Sequence, residues 1–249
     1  MFESTLKGDI VEGPPALHPD TTANNIILTG QHDVMLVPLI PEHTPGLFEN
    51  LCGPENDNLY TWLPGGPFPD LESFAAHINF LLESPVFFGF TIFLCEPSDS
   101  GSSSTTPVGL IGLMTAVPAN RSIEIGHVLF GPKLRRTAAA TEVNYLLMKY
   151  AFEELHYQRV EWKTNNFNEA SKRAALRLGY KFEGLFRKHM IVRGRRRDSS
   201  WYSCLDDEWF KKGKGGVKEA LEKWLEKDNF DAEGKQKRTL EDFRDASTE

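Results

Sequence analysis

Residues 122–182 read SIEIGHVLFGPKLRRTAAATEVNYLLMKYAFEELHYQRVEWKTNNFNEASKRAALRLGYKF. An apolar strand, Ile123 to Phe130, runs into the turn GPKLRRTAAATE. An amphipathic helix follows, then a second strand, Arg159 to Lys163, and a second helix. The first helix carries Val143, Leu146, Leu147, Tyr150 and Ala151 at i, i+3, i+4, i+7 and i+8, a core stripe. Asn168 is placed to cap the second helix, which bears Ala174, Ala175 and Leu178, and Gly179 to end it. After Thr137 in the turn nearly every side chain is tiny, so a ligand can touch main chain there. A helix N-terminus also presents free N–H groups and a partial positive charge. Such a start suits a pyrophosphate; it is equally just a good helix start.

Upstream, Ile26 to Leu39 has strand composition split by Gly30-Gln31, with 33–39 the better strand. Pro41 to Leu51 reads as a helix opened by proline. TWLPGGPFPD, with Tyr60, Trp62 and Phe68, is an aromatic, proline-rich loop that either covers a pocket or plugs the core. Leu71 to Leu82 fits a helix through Phe74, Ile78, Leu81 and Leu82. Phe87 to Leu94 and Val108 to Thr115 are strands of a hairpin, joined by the low-complexity, polar EPSDSGSSSTTP, read as a flexible inserted loop. Downstream, Tyr180 to Val192 and Ser199 to Leu205 make a closing hairpin around RGRRRD, a solvated turn. Val217, Ala220, Leu221, Trp224 and Leu225 form an amphipathic helix able to dock on the sheet. The expected layout is a flexible lead-in over 1–23, an α/β domain over 24–210, the amphipathic helix over 211–228 and a charged, disordered tail over 229–249. Hairpin-linked strands first and crossover helices later imply a mixed sheet with helices on both faces.

Composition narrows the partners. A net charge of −7 argues against general nucleic-acid binding. The three cysteines, Cys52, Cys95 and Cys204, are far apart and lack metal-ligand spacing, so neither a disulfide framework nor a metal site is expected. No apolar run reaches membrane-spanning length, and MFESTLKGDIVEGPP lacks the layout of a signal peptide. A cytoplasmic protein is expected, with the nucleus left open.

Three motifs carry a family resemblance: Glu124-Ile125-Gly126 leading into the turn, Arg135-x-x-Ala138-x-Ala140-Thr141-Glu142, and Asn168-x-x-Ser171 followed by Arg177-Leu178-Gly179-Tyr180. With the closing Arg197-Asp198-Ser199-Ser200-Trp201-Tyr202-Ser203, the stretch from about Gly30 to Trp209 resembles the GNAT superfamily of acetyl-CoA-dependent N-acetyltransferases, in its RimJ/RimL-type branch. The resemblance implies the GNAT fold, a mixed and mostly antiparallel twisted sheet. It implies that the backbone N–H groups of Arg136, Thr137, Ala138, Ala139 and Ala140, with Arg135 at the leading position, hold the coenzyme A diphosphate. The family motif has Gly where this chain has Ala138, which restricts φ and adds a methyl. The resemblance further implies that Ile123–Phe130, through Val128, Leu129 and Phe130, and Arg159–Lys163 splay apart to hold the pantetheine arm. Asn168 and Ser171 match positions that contact that arm or its sulfur end. Asn168 is also an ordinary helix cap.

Moving an acetyl group to an amine requires a neutral nucleophile, stabilisation of the carbonyl oxygen and a proton for the departing thiolate. Glu124, on the strand leading to the turn, is the candidate base; the alternative is a strand-face Glu in a salt bridge. His127 is the second candidate. Strict alternation turns it away from Glu124, unless a bulge reverses the face. Many superfamily members place an acid Tyr where this chain has Ala175, so either Ser171 stands in by hydrogen-bonding the thiolate or solvent protonates it, and Tyr180 is read as packing. The expected function is direct transfer, in a ternary complex, from acetyl-CoA to a primary amine on a small molecule or a peptide N-terminus. The expected protein is a monomer or homodimer without nucleic-acid or membrane partners. The alternatives are a non-catalytic acyl-CoA-binding module and a nucleic-acid binder using RGRRRD.

Overall fold

The computed structural model describes residues 8–19, 26–96 and 104–246. Eight strands form one sheet in the order β1-β2-β3-β4-β5-β6-β8-β7. They are β1 (Leu28–Thr29), β2 (Val34–Pro38), β3 (Phe87–Glu96), β4 (Ser104–Val117), β5 (Ser122–Phe130), β6 (Arg159–Asn165), β7 (Lys181–Val192) and β8 (Arg195–Leu205). Every neighbouring pair is antiparallel except β5–β6. A parallel pair needs a crossover, and the helix after the RRTAAA turn supplies it. The expected mixed, mostly antiparallel sheet is therefore present.

Helices cover both faces, and each covers the sheet with the residues its period predicts. On one face, α1 (Thr44–Leu51) and α2 (Leu71–Leu82) bury Leu47, Leu51, Phe74, Ile78 and Leu81 with Leu110 and Leu129. On the other, α3 (Ala138–Lys149) buries Val143, Leu147 and Met148 with Ile123 and Ile125, and α4 (Glu169–Leu178) adds Ala175 and Leu178. The short α5 (Asp206–Trp209) seats Trp209, and α6 (Val217–Leu225) buries all five of its predicted apolar residues. Local signals set the boundaries. Asp70 accepts from the Ser73 amide at 2.8 Å to start α2, and Asn168 from the Ser171 amide at 3.1 Å to start α4. Gly179 ends α4 in the left-handed region (φ 101°), where a Cβ would meet Val217 at 2.9 Å.

The structure departs from the sequence reading in three places. The hairpin strands β3 and β4 run further than expected, and the segment read as a flexible loop falls, over 97–103, outside the described residues. The RGRRRD turn shrinks to Arg193-Gly194, both at positive φ, so Arg195 to Asp198 belong to β8. A two-residue turn of that conformation matches strand twist and lets pairing continue to its edge.

The third departure concerns the tail. Residues 229–246 are ordered and include a further helix, α7 (Leu240–Asp245). Leu240 is fully buried. Asn229 donates to the Trp224 carbonyl at 3.0 Å and accepts from the Arg238 amide at 3.0 Å, which folds the segment back on itself. Phe230 packs edge-on against Trp224, and Arg238 lies 4.2 Å over the Phe243 ring. A few well-spaced anchors therefore order a segment whose mean composition reads as disordered. In the lead-in, residues 1–7 and 20–23 lie outside the described residues. Residues 8–19 form no regular element, yet they are held: Arg121 donates to the Glu12 and Gly13 carbonyls, and the Leu17 amide to Leu155 O at 2.9 Å.

Candidate active site

The parallel pair β5–β6 lasts three residue pairs, Ser122–Arg159, Ile123–Val160 and Glu124–Glu161. Beyond Glu124 the strands part: β5 stays with β4, and β6 with β8. The cause is local. At His127 (φ 51°), two residues of β5, His127 and Val128, oppose the single Ile111 of β4. Such a bulge bends its strand and sharpens the twist. The edges that face each other across the gap keep unpaired main-chain groups, which an extended ligand can satisfy as an added strand does.

At the open end lies the turn. Gly131 is required there, because a Cβ would meet Val108 O at 2.8 Å. Leu134, fully buried, anchors the loop, and the Arg135 and Thr137 amides donate back to Gly131 O and Leu134 O. Arg136 takes the left-handed conformation at φ 66°. Thr137 caps α3, its hydroxyl accepting from the Ala140 amide at 3.2 Å. Of the five amides assigned to the diphosphate, Thr137 and Ala140 thus have partners within the turn. Helix geometry leaves those of Ala138 and Ala139 free. Ala138 is an ordinary helical residue without positive φ, so alanine carries no conformational penalty at this position.

A groove of about 1300 Å³ runs past this turn. Val128, Leu129, Phe130, Arg135, Arg136, Thr137, Ala140, Asn168 and Ser171 line it together. Ala138 and Ala139, expected to bind the cofactor, are not among the lining residues, although they lie between Thr137 and Ala140, which are. Trp62 and Asn58, from the aromatic loop, close one mouth, so this loop both plugs the core through Tyr60 and borders the pocket. The groove is strongly cationic. Arg135, Arg136, Arg173, Arg177 and Arg244 line it against a single acid, Glu241. None of the five arginines forms a salt bridge among the described residues. In a chain of net charge −7, that concentration of unpaired cations marks a polyanion site. The free amides, the parted strands and these cations fit coenzyme A.

Glu124 and His127 do not line the groove. Glu124 is the last β5 residue paired to β6, at the point where the strands part. Its carboxylate accepts from Lys163 Nζ at 2.9 Å and from Thr115 Oγ1 at 3.3 Å. Lys163 also holds Glu161 at 2.8 Å and lies 4.2 Å over the Trp201 ring. Burial alone would lower the Lys163 pKa; Glu124 and Glu161 outweigh it, and the net shift is upward. The salt-bridge reading of Glu124 is thus realised.

The bulge does turn His127 to the Glu124 face, but there the ring packs against His77 and Phe87. Its Nε2 is buried without a hydrogen-bond partner. Burial first, then the neighbouring His77, push its pKa down to about 3. A side chain so reluctant to take a proton is a poor general base.

Asn168 spends its side-chain oxygen on the helix cap. Ser171 Oγ accepts from Trp162 Nε1 at 2.9 Å, which leaves its own proton to give. Tyr180 is buried at the core with its hydroxyl unpartnered. Ala175, where an acid Tyr was absent, is fully buried.

Sequence reasoning missed Lys163, Thr141, Asn144, Arg173, Arg177, Glu241 and Arg244. Arg173 and Arg177 share a helical stripe with Ala170 and Ala174, a signal present in the sequence; the two C-terminal residues gave none. Among the described residues no cluster of three metal-ligating side chains occurs, and no helix is long and apolar enough to cross a membrane.

A sheet parted after three parallel pairs, beside a helix start of small residues, is a site built for an extended arm that ends in phosphates. The profile of the acetyltransferase (GNAT) domain family matches residues 33–181, and the chain belongs to this family of N-acetyltransferases. It superposes on the crystal structure of a GCN5-related N-acetyltransferase from Brucella melitensis with a TM-score of 0.81 and 37% identity, covering 92% of this chain and 97% of that one. In sequence it is 36% identical over 104 residues to "Putative ribosomal N-acetyltransferase YdaF" of Bacillus subtilis, 41% of this chain and 55% of that protein. It is 32% identical over 98 residues to "Uncharacterized N-acetyltransferase YoaA" of the same organism, 39% of this chain and 55% of that protein. The chain spans about half the length of the curated relatives it matches.

Proposed function

We propose that the enzyme transfers acetyl from acetyl-CoA directly to a primary amine, in a ternary complex, with a peptide N-terminus or a small amine as acceptor. The observation that carries this is the gap between β5 and β6 opening onto the helix start at Thr137. The name of YdaF, and the motifs shared with the RimJ/RimL-type branch, favour a peptide N-terminus. Acetyl-CoA supplies the activated acyl group. The amides of Arg136, Ala138 and Ala139, with the side chains of Arg135, Arg136 and Arg173, hold its diphosphate, and the edges of β5 and β6 hold its arm.

Two protons then have to move. An alkylammonium, with a pKa of about 10.4, must lose one before it can attack. Glu124 takes it, directly or through water, and an incoming ammonium competes with Lys163 for the same carboxylate oxygen. Ser171, one of its lone pairs occupied by the Trp162 N–H, donates a hydrogen bond to the departing thiolate, and solvent supplies the proton that the thiolate takes up. The acceptor enters between the aromatic loop and the β7–β8 hairpin, which already meet where Arg193 Nη1 donates to Tyr60 O at 3.3 Å.

A panel of peptide N-termini and polyamines, assayed by free-thiol release from acetyl-CoA, tests this reading. Turnover with at least one primary amine is expected; acetyl-CoA binding without turnover across the panel would overturn it.

A further inference from the structure

We infer that the C-terminal segment, residues 226–246, completes the nucleotide end of the groove. There Arg177 and Arg244 form a subsite for a second phosphate group, the ribose 3′-phosphate of coenzyme A. The inference rests on the cofactor reading above and assigns a role to residues beyond the 33–181 span of the family match.

Thr137, the cap of α3, and Ala140, Thr141 and Asn144 within it line the groove and carry it along the helix away from its N-terminus. One helical turn past Thr137, about 5.4 Å along the axis, Thr141 Oγ1 accepts from Arg177 Nη1 at 3.0 Å. The Arg177 guanidinium also lies 4.6 Å from the centre of the Trp224 ring, so it is held in place at two points. Arg244 arrives from α7. Its Nη1 donates to the carbonyls of Arg177 at 2.9 Å and Leu176 at 3.4 Å, the exposed C-terminal carbonyls of α4. Neither arginine forms a salt bridge among the described residues, and Glu241 is the sole acid on the same wall.

Two guanidiniums on one wall repel each other, and Glu241 alone offsets only part of that charge. Burial, opposed by Glu241 and reinforced by Arg244, lowers the pKa of Arg177. An anion between them removes that penalty. Each guanidinium has five N–H donors in a planar fork, and among the described residues only one nitrogen of each donates a hydrogen bond to the protein. Coenzyme A carries its diphosphate and its 3′-phosphate on either side of one ribose. With the diphosphate at the α3 start, the monoester falls one ribose further along the groove, toward this pair. The order of the segment supports a built wall rather than a loose tail: Leu240 is fully buried, and Thr239 and Asp242 form a reciprocal cap at the start of α7.

The test is calorimetry on the full chain with coenzyme A and with 3′-dephospho-coenzyme A. The wild type should bind coenzyme A about tenfold or more the tighter of the two, the scale of one charged hydrogen-bonded contact. Arg244→Ala should reduce that ratio to about twofold while leaving dephospho-coenzyme A affinity unchanged. Because Arg244 also caps α4, Glu241→Gln is the second variant. Removing the opposing charge should widen the ratio about threefold with an unaltered melting temperature. Equal affinities in the wild type, a preference that survives Arg244→Ala, or no widening in Glu241→Gln would each overturn the subsite. Failure of both ligands to bind would remove the cofactor reading and this inference together; equal binding of both removes only this one.

Discussion

Lys163 Nζ sits 2.9 Å from Glu124 Oε2 and 2.8 Å from Glu161 Oε2, bridging two carboxylates that face each other across the last parallel pair of β5 and β6. The ammonium is the shared counter-ion of both acids at the point where the sheet parts. Glu161 has a second cation in Arg159 at 2.7 Å, whereas among the described residues Lys163 is the one ion-pair partner of Glu124.

Glu124→Gln is expected to lower turnover by about 10²-fold, the scale of a lost general base, with coenzyme A affinity unchanged in calorimetry. The side chain does not line the groove, so a fall in cofactor affinity would point to a structural role instead. Normal turnover across about pH 6 to 9 would remove Glu124 from the reaction.

Ala138→Glu is expected to abolish acetyl-CoA binding by setting a carboxylate beside the phosphates. An acid in the first turn of a helix is favourable to the helix itself, so the melting temperature should hold or rise. Unchanged affinity would take the diphosphate away from this turn.

Ser171→Ala should slow the chemical step by about tenfold or more while Trp162→Phe, which frees the Ser171 lone pair but keeps its hydroxyl, should cost less. Single-turnover kinetics separates the two. Equal losses would mean that the Trp162–Ser171 hydrogen bond matters for packing rather than for the thiolate.

His127, held near pKa 3 by burial, stays neutral in the folded protein while the unfolded chain titrates at about 6.5. Between those values the unfolded state binds the extra proton, so stability is lost as pH falls, by about 1.4 kcal/mol for each unit below 6.5. His43 and His77 shift the same way, each through burial first. His127→Asn, which tolerates the left-handed backbone, should flatten the slope of stability against pH by about one proton. Urea melts at pH 5 and pH 6 would show it; an unchanged slope would mean that His127 is hydrated in the native state.

Much of this enzyme is written locally in its sequence. Thr137 capping α3, Asn168 and Gly179 bounding α4, and the apolar stripes of α3 and α6 are signals within one or two turns of chain. Periodicity and capping act over that range, so these elements are legible in the order of the amino acids alone. What the sequence could not determine depends on register and on distance along the chain. The partner of Glu124 is chosen by the three-pair β5–β6 register, which brings Lys163 across from 39 residues away. A single bulged residue decides which face His127 shares, and burial on that face then disables it as a base. The C-terminal segment looks disordered by composition, because its few anchors, Asn229, Phe230, Leu240 and Arg244, gain their stability only against Trp224 and the end of α4. Short-range physics sets the elements of this protein; contacts between elements decide which of its charges meet in the groove.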